Sequence, residues 1–527
     1  MTNFPRFHPT LRVILLAGLT AGSLAAVALA SSASAPVGAF STKGAYKFVS
    51  APGLHPPILK VLKHKSGLAH GDFLVANLPN VAAPGRMTGE GGPLILDSNL
   101  KPVWVQGVGT HVAASSLQQE TYEPCGKATC AEPVLVWWEG LVNGAGVTTQ
   151  GKVFVDDQHY GRVATLSAPA PWVISLHDAS IDGANIWVTA YRTVRNQNLA
   201  LYGGAKKGAV LDVSLREYNL KSRKLVRSWD ALNPGHKARV PLSASEQPPP
   251  PAKRGKAGAL WDAYHLNSIQ ALPDGNLLVS MRNTWGVYLI NPATGKILWT
   301  LGGKHSTFKV SKKARFAWQH DARLASPTST GIGTKQELTV FDDDCCKLLA
   351  SGGFAHQNGP SRGLVLRLNT VAKTASLVHA YTHNPLSPAF LGSTEVLKGG
   401  NVLVGWGSVP YFSEFTRSGK EILFVRWPGK DESYRALFTN TWVGLPNYAP
   451  SARVKNRTVY VSWNGATQVA KWQILAGNSS GSLKVISTKA RAGFETAVKL
   501  SKSYKDYEVK ALDSKGHVLP HGAITFS

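Results

Sequence analysis

The dominant signal along the chain is a short apolar run, a polar turn built on Gly, Asn or Asp, and a second apolar run that often ends on an aromatic residue. The clearest copy is Gly286-Val-Tyr-Leu-Ile-Asn-Pro-Ala-Thr-Gly-Lys-Ile-Leu-Trp299. Further copies run from Pro93 to Trp104, Gly151 to Leu166, Leu211 to Trp229, Gly363 to Tyr381 and Tyr411 to Phe424. Branched and aromatic side chains fit a pleated, half-buried surface, and the turn residues supply the tight reversal, so each copy predicts a hairpin. A second hairpin precedes several of them: His177 to Tyr191, Leu266 to Met281 and Leu391 to Gly405. No amphipathic helix longer than three turns is predicted.

Two hairpins in succession make a four-stranded blade, and apolar blades must stack around an axis to be covered. The pattern therefore predicts an all-β chain: a six-bladed β-propeller over residues 36–446. The alternative packing is a pair of separate β-sandwiches. After Pro446 the repeat stops. Thr458 to Gly465, Val469 to Leu475 and Tyr507 to Gly516 alternate apolar and polar residues. They predict a small immunoglobulin- or fibronectin-like β-sandwich over residues 447–527. The basic, proline-rich stretch from Pro234 to Gly258 reads as a surface excursion between blades.

Composition fits this picture: 51 glycines with 15 Trp, 15 Tyr and 17 Phe favour many short strands and tight turns. The net charge of +26 favours anionic partners. No zinc-finger spacing, basic-zipper block or RNA-binding strand motif accompanies the charge, so no nucleic-acid partner is expected. At the N-terminus, Arg6 and Arg12 precede the apolar run Val13 to Ala30, and small residues follow up to Ala35. This is the pattern of a bacterial secretory signal over residues 1–35, removed near Ala30 or Ala35. No other stretch reaches 18 apolar residues, so no membrane span is expected after cleavage. The mature chain would be secreted, cell-surface or periplasmic. Export permits disulfides, and Cys125 and Cys130 are spaced to close a small loop. Cys345 and Cys346 are adjacent, and a vicinal disulfide and two thiols both remain open.

In a propeller the inner strands run beside the central channel, so residues that begin the first hairpins are the ones to inspect. Three are histidines: His177, His265 and His320. Arg192, Arg282 and Arg323 follow them, and Asn267 and Asn283 add amides. A neutral imidazole can serve as a nucleophile or base near neutral pH, and guanidinium forks suit a tetrahedral oxyanion. The set fits binding or transfer of sulfate or phosphate. Three histidines could also ligate a metal, but the arginines would repel it; no metal and no cofactor are expected. The carboxylates Asp262, Asp321, Glu395 and Glu414 form no glycosidase pair by spacing. Asp178 and Asp321 directly follow two histidines, and strand alternation turns them to the other side. Nucleophile-elbow, dinucleotide and P-loop motifs are absent.

At these residues the chain resembles the arylsulfotransferase family, in its branch of secreted propeller proteins. The resemblance is carried by His265-Leu-Asn-Ser-Ile269, Pro273 to Arg282 and Gly295 to Gly303. It continues through Phe316-Ala-Trp-Gln-His-Asp-Ala-Arg323, Tyr434-Arg435, Trp442 to Pro446, Val461 to Thr467 and Gly493 to Thr496. It runs from about Tyr46 to Gly516. It implies a six-bladed propeller that moves a sulfuryl group from a phenolic sulfate ester to a phenol through a channel histidine, without a nucleotide donor. By matching positions it implies that His265 is a sulfate-binding or acid–base histidine with Asn267 nearby. His320 would be a second channel histidine, and Arg323 or Arg282 the anion clamp. The chain departs from the pattern where the family places a later histidine: the equivalent hairpin begins Phe390-Leu-Gly-Ser-Thr394. His356, His379 and His383 lie in neighbouring stretches out of frame. The nucleophile is therefore open between His320, a nearby histidine and none at all. The alternative is a non-catalytic propeller that holds an anionic ligand or wall polymer.

Overall fold

The computed structural model describes residues 40–80, 86–109, 112–142, 148–233, 235–250, 260–325, 334–345, 347–348, 354–355 and 359–527. The expected leader, Cys346 and His356 lie outside them. The described chain is all-β, and its only helical pieces are short 3-10 turns.

Six sheets of four or five strands, antiparallel except for the short edge pieces Leu260–Trp261 and Lys309–Val310, follow one another along the chain. Each of the six repeated hairpins lies in the outer half of one sheet, and the hairpins that precede three of them form inner halves. In the fourth sheet, Leu266–Ala271, Leu277–Met281, Gly286–Asn291 and Lys296–Leu301 lie in sequence order. Its outer turn forms because Asn291 Oδ1 accepts the Thr294 amide at 2.9 Å and Gly295 takes φ +71°, which costs a glycine little. The second, third, fifth and sixth sheets begin with Ala113–Tyr122, Val173–Asp182, His320–Leu324 and Ser393–Val396.

Two pairings join distant parts of the chain, and the hydrophobic pattern gave no sign of either. Leu437–Thr439 pairs antiparallel with Asp72–Asn77 and becomes the first strand of the first sheet. Lys60–His64 pairs with Glu421–Arg426 at the outer edge of the sixth. Register depends on which strands meet, and a strand of three to five residues carries too little alternation to announce its partner.

The first strands of successive sheets pack side by side: Ala113–Tyr122 on Val173–Asp182, then Leu266–Ala271, then His320–Leu324, then Ser393–Val396, then Leu437–Thr439, which returns to Ala113–Tyr122. The first four of these strands are largely buried, and Ser393–Val396 and Leu437–Thr439 are partly so. A polar cavity of about 360 Å³ touches all six, at Gln118, Ser180, Gln270, Arg323, Glu395 and Phe438 among others. Between sheets the core is packed with large rings; Trp187, Trp229, Trp261 and Tyr264 fill the space between the third and fourth.

Beyond Ser451 two further sheets share one core, with Trp463, Trp472 and Val509 at its centre. They rest on the first sheet. The Asn464 side chain bonds both the amide and the carbonyl of Val105 at 2.9 Å, and Phe48 packs on Phe494 at 4.4 Å. Cys125 and Cys130 are joined as a disulfide, with Cα atoms 6.1 Å apart. Cys345 is also disulfide-bonded.

Candidate active site

His265 sits just ahead of Leu266–Ala271 in a turn that bends through φ +53°. A residue with a Cβ resists that conformation, and Asp262 holds it there. One carboxylate oxygen accepts the His265 amide at 3.1 Å and the other meets Nδ1 at 2.5 Å. Asn283 supports the turn from behind, donating to the Asp262 carbonyl at 2.6 Å, while its own amide bonds Tyr264 O at 3.0 Å.

His177 lies within Val173–Asp182. Its Nδ1 is 2.7 Å from Ser175 Oγ and 3.2 Å from the Tyr191 hydroxyl, and its Nε2 is 3.1 Å from Nε2 of His265. Burial, then the charges of His265, Arg435 and Arg282, hold His177 well below the usual imidazole range. It is neutral at pH 7. These contacts fix the protons. With Nδ1–H of His265 given to Asp262, a neutral His265 presents a lone pair at Nε2. His177 must then donate its Nε2–H into it and accept the Ser175 hydroxyl proton at Nδ1.

His320 opens the fifth sheet. Its Nδ1 is 2.6 Å from Asp343 Oδ2, and the Leu391 amide donates to its Nε2 at 3.3 Å. An Nε2 that accepts places the proton on Nδ1, so the ring donates to Asp343. Burial and the Arg282 charge keep His320 far below the ordinary imidazole range. Burial pushes the Asp343 carboxyl up, and Arg282 opposes the shift. The three histidines differ in access: the His265 side chain is 12% exposed, His177 is 1% and His320 is 0%.

Arg282 stands among them. It donates to Asn283 Oδ1 and to the Ala389 carbonyl, each at 3.0 Å, and lies 4.8 Å over the face of Trp318. Burial lowers its pKa, and the charges of Asp343 and Asp262 raise it. A guanidinium remains charged through such shifts. Tyr434 packs edge-on between His177 and His320 at 5.8 and 6.2 Å. Its buried hydroxyl has no hydrogen-bond partner among the described residues, nor have the buried indole N–H groups of Trp285 and Trp318. Buried donors without acceptors are rare; Tyr434 lies between two of the histidines and Trp318 lies under Arg282, so two of these open donors border the site and favour an incoming anion.

The remaining sequence candidates stand elsewhere. Arg323 belongs to a buried ion cluster: it bonds Asp178 at 2.6 Å and Asp321 at 3.0 Å, while Arg435 bonds the same two acids at 2.8 and 3.0 Å. Its fork is engaged by the two carboxylates and by the Ile269 carbonyl, which leaves Arg282 as the cation beside the histidines. Asp178 and Asp321 engage Arg323 and Arg435 rather than the histidines beside them, and both lie where the strand pairing shifts register. Arg192 is outside the group: it pairs with Asp212 at 2.9 Å and lies over Trp172 at 4.3 Å. Its strand position is set by register with Asp212 across the third sheet. Asn267 is fully buried and donates to Gln319 O at 2.7 Å, joining the fourth and fifth sheets. Asn283 is the buttress described above. His379 packs on Tyr381 at 4.6 Å, and His383 bonds Glu421 at 2.7 Å. Both lie toward the outer strands.

No sequence signal points to Asp343, and the sequence singles out Asp262, Tyr434 and Leu391 without the parts they take beside the histidines. Asp262 had a signal, since a carboxylate three residues before a histidine can close a turn onto it. Asp343 follows His320 on the next strand of the same sheet, and only the pairing of His320 with Phe341 brings it back. Among the described residues, no group of three or more His, Cys, Asp or Glu could hold a metal ion.

No curated protein matches the chain. Solved structures give distant likenesses. A protein of unknown function from Bacteroides caccae is 11% identical and has a TM-score of 0.37, covering 71% of this chain and 100% of its own. A luciferin-regenerating enzyme is 12% identical with a TM-score of 0.31, covering 73% and 100%. A glycoside hydrolase is 9% identical with a TM-score of 0.29, covering 78% and 98%. At these scores they carry no argument. The profile of the arylsulfotransferase (ASST) family matches residues 130–426, a span that begins at Cys130 and contains all three histidines, Arg282 and Asp343. The chain is a member of the arylsulfotransferase family.

Proposed function

We propose that this protein is an exported sulfotransferase that moves a sulfuryl group from a phenolic sulfate ester to a phenol, with His265 as the nucleophile. The observation that carries the proposal is the file Asp262–His265–His177, with contacts of 2.5 and 3.1 Å, at the most accessible of the three histidines. Asp262 orients the ring and keeps the Nδ1 proton, which leaves the Nε2 lone pair for attack. As sulfur approaches, the His177 N–H turns from that lone pair to a sulfuryl oxygen. The Nε2–S bond forms, the ester S–O bond breaks, and its electron pair leaves on the phenolate. Arg282 and the Tyr434 hydroxyl face the charge that develops. Asp262 balances the positive charge of the sulfurylated ring. An acceptor phenol then attacks sulfur, the S–N electrons return to Nε2, and the proton it releases replaces the one taken up by the first phenolate.

In this reading the six sheets are the blades of a six-bladed propeller over residues 36–446, closed by Lys60–His64 and Leu437–Thr439, with a β-sandwich over 447–527. Contacts between successive first strands, and the cavity that touches all six, support it. The N-terminal pattern supports export after removal of residues 1–35. No described helix is long and apolar enough to cross a membrane.

One observation favours a second reading, an anion-binding protein without turnover. The hairpin that begins Phe390-Leu-Gly-Ser-Thr394 lacks the later histidine that the family resemblance implies, and the Leu391 amide covers Nε2 of a fully buried His320. A transfer assay separates the two. A chromogenic aryl sulfate is mixed with a phenol acceptor, and acceptor-dependent dye release is followed for the wild type and for His265→Ala. Transfer lost in the variant supports catalysis at His265. A folded wild type that binds the aryl sulfate but never releases dye supports the binding reading.

A further inference from the structure

A cavity of about 550 Å³ lies beside the histidine site, lined by Trp285, Phe308, Phe316, Ala317, Lys304 and Arg315 among others. Trp285 links the two. It lines the cavity and packs edge-on against Trp318 at 5.5 Å, and the face of Trp318 carries Arg282. The wall is built for close approach. A Cβ on Gly302 would fall 2.6 Å from Trp285 O and 2.8 Å from the Phe316 ring, and one on Gly303 would fall 2.2 Å from Thr284 O. Both glycines have positive φ. The chain can therefore pass flat beneath Trp285 and leave the space above it open.

The cavity has aromatic walls and a charged rim of Lys304, Arg315 and Glu246. Phe308 and Phe316 are buried, and Trp285 keeps its indole N–H without a partner among the described residues. Lys304 is tied to Glu246 at 3.3 Å and to the Ser245 carbonyl. The Arg315 guanidinium is exposed, and among the described residues no hydrogen bond or ion pair engages it. Aromatic walls accept a flat ring, and a free guanidinium at the mouth favours a carboxylate on the far side of that ring.

We infer that this cavity holds the ring of the phenolic substrate, and that it selects phenols carrying an anionic group, which Arg315 meets while the phenolic oxygen points past Trp285 toward Arg282 and the histidines. The assignment of a phenol rests on the sulfotransferase reading; the preference for a carboxylated ring rests on the cavity.

Two probes, 4-hydroxybenzoate and phenol, test it in the full-length mature protein. With both as acceptors, kcat/KM is expected to favour 4-hydroxybenzoate. Arg315→Ala is expected to cut that preference about tenfold, the loss of one charge-assisted hydrogen bond, and Arg315→Glu to reverse it. Trp285→Ala is expected to weaken both phenols together. An unchanged preference in Arg315→Glu would overturn the inference even if transfer is robust. Calorimetric binding of 4-hydroxybenzoate covers the case without turnover. Binding that Arg315→Glu abolishes supports the cavity and sinks only the transfer reading, whereas equal binding by wild type and variant overturns the cavity.

Discussion

Nε2 of His177 lies 3.1 Å from Nε2 of His265, so one of the two rings donates and the other accepts. Asp262 decides which, because it holds the other His265 nitrogen at 2.5 Å. Replacing Asp262 with Asn keeps the size but leaves one acceptor oxygen for the two His265 groups, so the tautomer is no longer fixed. Loss of an orienting carboxylate of this kind costs about 10⁴-fold in kcat where it has been isolated. Asp262→Asn is expected to lower kcat for aryl-sulfate turnover by about 10²–10⁴ with little change in KM. Steady-state kinetics with the chromogenic donor check it, and a rise in KM alone would assign Asp262 to binding.

The second prediction concerns acid. The pKa values of His177 and His320 are depressed in the folded protein by burial and by neighbouring charge. Between those lowered values and about 6.5 the unfolded chain binds more protons than the folded one, so stability falls as pH drops below about 6.5. His320→Gln is therefore expected to gain melting temperature relative to the wild type as pH falls from 7 to 5. A parallel pH profile for the variant would contradict it.

Two carboxyls act in the opposite direction. Burial raises Glu120 and Glu395 to about 8, and both line the cavity touched by all six first strands. Each is protonated in the folded chain while already ionised in the unfolded chain, so stability is lost as pH rises from about 4.5 to about 8. Glu395→Gln mimics the protonated form. It is expected to raise the melting temperature at pH 8.5 by about 2–4 °C, the response of a large domain to about 1 kcal/mol, and to have little effect at pH 5. Thermal scans at the two pH values decide.

The buried cluster of Asp178, Asp321, Arg323 and Arg435 joins the third and fifth sheets to the chain entering the first. Arg435→Ala would leave two buried carboxylates short of a partner and is expected to cost about 3–5 kcal/mol. The double change Arg435→Met with Asp178→Asn should cost less, since it removes charge on both sides. Urea unfolding of the three proteins tests the order.

The repeat was legible because each outer hairpin is local. The strand patterns and the turn at Asn291–Gly295 lie within a few residues of one another. The pairings made by Lys60–His64 and Leu437–Thr439 were not legible, since nothing in a three- to five-residue strand names a partner hundreds of positions away. The same split runs through the site. His177, His265, His320 and Arg282 stood out by type and position, and the structure gathers them. Arg192 and Arg323 stood out equally, yet strand register turns one to Asp212 and the ion cluster takes the other. Asp343 and Leu391 reach His320 only through the sheet, so no local pattern could report them.

The central claim is that His265 carries the sulfuryl group. The most direct measurement is to quench the enzyme with base during turnover of an aryl sulfate without acceptor, digest it, and locate the adduct by mass spectrometry. The account expects a sulfuryl group on the peptide containing His265, still formed in Asp343→Asn and absent in His265→Ala. An adduct on His320, or turnover with no protein-bound sulfuryl group, would contradict it.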